Sequence, residues 1–83
     1  MDYKYKRARE ELKISLGQLV NWINEDLAEL GKTISIHQLF RIEEGLRKRY
    51  DVRTMIAEKY YHRIYSRWKK EQQIKEVDEK YGG

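Results

Sequence analysis

The side chains best suited to chemistry with a partner lie between Lys32 and Arg53. Ser35, His37, Gln38 and Arg41 fall within seven residues. Hydroxyl, imidazole, amide and guanidinium groups so close together suit the edges of bases: glutamine meets adenine, and arginine meets guanine, through two hydrogen bonds at once. Around them stand Lys32, Arg47, Lys48, Arg49 and Arg53. Such cations suit phosphate oxygens, which set a protein's register on a duplex without reporting its sequence. Residues 47–70 hold nine basic and two acidic residues, net +7, in a chain whose total is +4. A block of that density fits a polyanion surface and fits a solvated helix face equally well.

Other chemistries lack their residues. Cysteine is absent, which removes disulfides, thiolate metal sites and thiol nucleophiles. His37 and His62 stand 25 positions apart without carboxylates at ligand spacing, so no metal is expected. Neither histidine has a serine nucleophile beside it, and no glycine-rich phosphate loop exists, so neither an enzyme nor a cofactor is expected. No run approaches the roughly 18 apolar residues of a membrane span. The first twenty residues alternate charged and apolar side chains, unlike a signal peptide. A soluble, cytoplasmic protein that makes no use of a membrane is the expectation.

These groups need a scaffold, and composition points to helices. Proline is absent from the 83 residues, and Lys, Arg, Glu, Leu and Ile are abundant. Seven tyrosines, two tryptophans and 40% hydrophobic content favour order despite 39% charged residues. The fold class predicted is all-α, a single helical domain over residues 1–69 with a long C-terminal helix. Residues 70–83 form an exposed helical extension ending in a frayed Gly82-Gly83.

Asp2 is placed to cap a first helix over residues 3–13, with Tyr5, Ala8 and Leu12 inward. Ser15 and Gln18 have the spacing of a capping box, with Ile14 and Leu19 as its hydrophobic staple. The second helix then carries Leu16, Leu19, Val20, Ile23, Leu27 and Leu30 as one stripe, and Gly31 stops it. Ser35 and Gln38 repeat the capping box, with Ile34 and Leu39 as the staple. A third helix over 36–44 turns Ile36, Leu39, Phe40 and Ile42 inward and ends at Gly45. The connection from Gly31 to Ser35 is so short that the two helices must pack together at a steep angle. After the basic connection 46–50, Asp51 caps a helix running to about residue 80, its core line Val52, Ile56, Tyr60 and Ile64. Tyr61, Tyr65 and Trp68 widen that apolar face beyond what three short helices can cover, which marks them for a partner or dimer interface. Trp22 falls off the stripe of helix two: either the C-terminal helix covers it or it anchors a partner.

Four segments resemble the phage-repressor-like (XRE-type) helix-turn-helix family. Lys6 to Lys13 is similar to its first helix, and Ile14-Ser15 with Gln18-Leu19 to the entry of its second. Ile34-Ser35 through Leu39, then Arg41-Ile42-Glu43-Glu44-Gly45, resembles its recognition helix and terminator. Val52 to Tyr60 resembles its fourth helix. Helix two is about twice the family's length, the turn is two residues longer, and Lys48-Arg49-Tyr50 replaces the usual proline. The resemblance covers residues 5–62 and implies double-stranded DNA as the partner.

Geometry leads the same way, since a major groove about 12 Å wide admits one helix, whose first turn reaches base edges. Ser35, His37, Gln38 and Arg41 would then face the bases, although Gln38 is also the capping-box residue. Two functional readings stand. One is a sequence-specific transcriptional regulator of phage or mobile-element type, acting as a homodimer. The other is a small inhibitor or adaptor that grips a protein partner through Tyr61, Tyr65 and Trp68. A weaker third is nonspecific nucleic-acid binding by residues 47–70.

Overall fold

Every helix begins at a side chain that caps it. The computed structural model describes the backbone of residues 1–81 and side chains through Lys75. Among these residues the chain forms α1 (Tyr3–Glu11), α2 (Leu16–Ala28), α3 (Ile36–Glu43) and α4 (Val52–Tyr81), with no strands. Asp2 Oδ1 accepts from the Lys4 amide at 3.1 Å. In α2, the Gln18 amide donates to Ser15 Oγ and the Ser15 amide donates to Gln18 Oε1, both at 3.0 Å. The same reciprocal pair joins Ser35 and Gln38 at 3.1 and 2.9 Å. Asp51 Oδ1 accepts from the Thr54 amide at 3.2 Å. Four helix starts are thus satisfied by local chemistry.

The three short helices also end alike. After α3, the Leu46 amide donates to Arg41 O and the Gly45 amide to Ile42 O; after α2, Lys32 donates to Leu27 O and Gly31 to Ala28 O. This is the paired ending that needs one residue in the left-handed region, supplied by Gly45 (φ 72°) and Gly31 (φ 66°). After α1 the same two bonds run from Ile14 to Arg9 O and from Lys13 to Glu10 O. There the left-handed residue is Lys13, with φ 60°. A side chain in that region costs about 1–2 kcal/mol, part of which glycine returns as extra freedom in the unfolded chain. Lys13→Gly is therefore expected to stabilise the fold by about 0.5–1 kcal/mol. A urea midpoint that stays the same or falls would contradict this.

α4 is the spine against which α1, α2 and α3 all pack. Leu19, Ile23 and Leu27 from α2, Leu39 from α3 and Tyr61 from α4 are fully buried at its centre. Two expectations about apolar faces need correction. α2 stops at Ala28, and Leu30 lies exposed in the turn. In α3, Leu39 and Ile42 are buried as expected, but Ile36 is 53% and Phe40 40% exposed. Glu43, which falls between Leu39 and Ile36 around the helix, is 4% exposed, so α3 buries a charge while two apolar side chains beside it stay uncovered.

The C-terminal extension is helical, with Ile74 exposed. The i,i+4 spacing of the sequence predicts Glu71–Lys75 and Glu76–Lys80 pairs, but Glu71 pairs backward with Arg67 at 3.4 Å. The expected Glu76–Lys80 pair and the Gly82-Gly83 tail lie outside the described residues.

Candidate nucleic-acid interface

α3 is fixed at both ends by long-range hydrogen bonds. At its start, the Ile34 amide donates to Asn24 Oδ1 at 2.7 Å and Asn24 Nδ2 donates to Ile34 O at 3.1 Å. One amide side chain from α2 thereby satisfies the backbone where it enters α3. Arg53 Nε of α4 donates to Thr33 O at 2.6 Å and holds the same turn from the other side. At the far end, Arg9 Nε and Nη2 donate to the two Glu43 oxygens at 2.6 and 3.2 Å, and Arg9 Nη1 donates to Ile14 O at 2.7 Å. Tyr61 Oη donates to Glu43 Oε1 at 2.9 Å. Burial, reinforced by the Glu43 charge, pushes the Tyr61 phenol well up, so it remains a donor. Outside this buried set, Lys6 Nζ donates to Glu44 Oε1 at 2.7 Å.

So held, α3 presents Ile36, His37, Phe40 and Arg41 on its exposed arc. Beside that arc, His37, Gln38 and Arg41 join Leu46, Arg47, Lys48 and Arg49 around an open cleft of about 410 Å³. Three of the base-contact candidates and three of the phosphate candidates thus share one concavity. Among the described residues, Arg41, Lys48 and Arg49 have no ion-pair partner. The remaining candidates behave differently. Ser35 and Gln38 are both held in the capping box. With Gln38 Oε1 accepting from the Ser35 amide, Gln38 can offer a base only its Nε2 donors, which removes the two-bond pairing with adenine.

Two phosphate candidates are partly neutralised. Arg47 Nη2 donates to Asp51 Oδ2 at 2.6 Å, and Arg53 Nη1 lies 3.6 Å from the same oxygen. Lys32 is exposed but does not line the cleft. Partial burial works against ionisation of Asp51. The Thr54 N–H and the Arg47 and Arg53 charges outweigh it and hold the carboxyl below its ordinary range. The ionised Asp51 therefore contributes stability that is present above about pH 4 and lost as pH falls through the lowered folded-state value. Asparagine caps a helix as well as aspartate does. The stability gap between wild type and Asp51→Asn is expected to narrow between about pH 5 and pH 2, read from urea midpoints; a gap constant over that range would contradict the assignment.

The aromatic face of α4 is better covered than its width implied. Tyr61 is fully buried and bonded to Glu43, so it belongs to the core and not to an interface. Tyr65 and Trp68 are half-buried. Tyr5 packs edge-on against Tyr65 at 5.4 Å between ring centroids, Tyr65 stacks on Trp68 at 5.9 Å, and the Arg7 guanidinium lies over Trp68. α1 accounts for this cover, because it carries Tyr5 and Arg7 and packs against α4. Trp22 stacks on Tyr60 of α4 yet stays 37% exposed, so the C-terminal helix covers it only in part.

Asn24 and the Arg9–Glu43 pair escaped the reading of the sequence. Asn24 left a trace there: it sits four residues after Val20, on the apolar stripe of α2. No cluster of three or more His, Asp or Glu side chains able to hold a metal occurs among the described residues. No helix there is long and apolar enough to cross a membrane. Comparison with protein-family models, curated proteins and solved structures returns no match to the chain.

Proposed function

We propose that this chain is a sequence-specific double-stranded DNA-binding transcriptional regulator of phage or mobile-element type that inserts α3 into the major groove. The observation that carries the reading is the shared cleft in which His37 and Arg41 meet Lys48 and Arg49. Base-reading and phosphate-neutralising groups are then within reach of one stretch of duplex, which is the division of labour such recognition requires. The buried Arg9–Glu43 pair adds support, since it ties together two of the segments that carry the resemblance to phage repressors. A homodimer with its two α3 helices about 34 Å apart would read two half-sites on one face of the DNA. The protein-partner reading relied on an uncovered aromatic face, and the packing of α1 over Tyr65 and Trp68 weakens it.

The test is a titration of duplex DNA at two salt concentrations with enriched and random competitors. Binding is expected to weaken steeply with salt, and the enriched duplex to displace the probe at lower concentration than the random one. Absence of duplex binding at low salt would overturn the proposal.

A further inference from the structure

The exposed arc of α3 is half apolar, and its polar residues alone do not account for it. Ile36 is 53% and Phe40 40% exposed, one helical turn apart, on a helix of eight residues. They lie against His37 and Arg41 on the same arc. Glu43, on the same side of the helix, is buried against Arg9 and Tyr61, while Ile36 and Phe40 beside it are left uncovered. The fold therefore holds two large apolar side chains in water, beside the groups proposed to read bases.

We infer that Ile36 and Phe40 select thymine methyl groups in the major groove, making this chain a reader of thymine positions as well as of hydrogen-bonding patterns. This rests on the DNA-binding reading above. Among bases, thymine alone presents a methyl on its major-groove edge, and apolar side chains discriminate it by contact. Size favours this occupant over a protein. The strip of Ile36 and Phe40 spans one helical turn, about 6 Å, and shares the exposed arc with His37 and Arg41, which line the cleft. A stable protein interface buries about 800 Å² per partner around an apolar centre, far more than two side chains flanked by His37 and Arg41 provide.

The experiment enriches duplexes from a random pool with the full chain and resynthesises the best binder with deoxyuridine at each thymine in turn. Uracil keeps every hydrogen-bonding group and loses only the methyl. At one or more positions, wild type is expected to lose about fourfold in affinity per methyl removed. Ile36→Ser and Phe40→Ser, both at exposed sites, should fold normally by thermal melting and should lose that sensitivity while keeping the salt dependence. An enriched duplex that tolerates deoxyuridine everywhere would overturn the inference and leave the DNA-binding reading standing. Failure to enrich any duplex would overturn both. Variants that change sedimentation mass but not deoxyuridine sensitivity would assign the strip to self-association and overturn the inference.

Discussion

Replacing Glu43 with alanine is expected to destabilise the protein by about 3–5 kcal/mol, because it strands a buried guanidinium without its counter-charge. The Glu43 side chain is 1% and that of Arg9 9% exposed, so water cannot substitute on either side. Three donors converge on the Glu43 carboxylate, two from Arg9 and one from Tyr61. After the substitution Arg9 keeps its bond to Ile14 O and a loose 4.0 Å contact with the exposed Glu10 carboxylate, and the Tyr61 hydroxyl is left in the core without an acceptor. A domain of this size commonly has about 5–10 kcal/mol in all, so much of the population would unfold near physiological temperature. Arg9→Met combined with Glu43→Leu should cost less than either truncation, since no lone charge is left behind. Chemical denaturation of the single and double variants checks both statements. A Glu43→Ala loss below about 1 kcal/mol would show that water enters the site and the pair is not buried in solution.

Changing Arg47, Lys48 and Arg49 together to alanine is expected to weaken binding to every duplex alike. Each lost phosphate contact should flatten the plot of log affinity against log salt by about 0.9. Lys48 and Arg49 carry most of the effect, because Arg47 already answers Asp51 at 2.6 Å. The expected change in slope is therefore nearer two contacts than three. Asp51→Asn should work in the opposite direction, releasing Arg47 and Arg53 for phosphate while keeping the helix cap. Unaltered affinity for random DNA in the triple variant would remove the cleft from the phosphate-binding surface.

The fold was legible wherever its cause was local. Ser15 with Gln18, Ser35 with Gln38, Asp51, Gly31 and Gly45 act within a few residues of themselves, and each occupies its expected place. What escaped was set at long range. The Arg9–Glu43 pair spans 34 positions, and nothing near Glu43 distinguishes it from a solvated carboxylate. Glu43 falls inside the apolar arc of α3, and an eight-residue helix has too few turns for spacing alone to show which members of that arc the fold covers. The candidate site was half legible for the same reason. His37, Arg41, Lys48 and Arg49 are brought together as their spacing suggested, whereas Asp51 and the capping box hold Arg47, Arg53, Ser35 and Gln38 in structural bonds.

The central claim is that α3 reads bases, and the ratio of affinities for an enriched and a scrambled duplex measures it directly. The account predicts that wild type prefers the enriched duplex by about 10³-fold or more at physiological salt. His37→Ala and Arg41→Ala should each erode that preference by about tenfold and leave affinity for the scrambled duplex nearly unchanged. Equal affinity of the wild-type chain for the two duplexes would contradict the account.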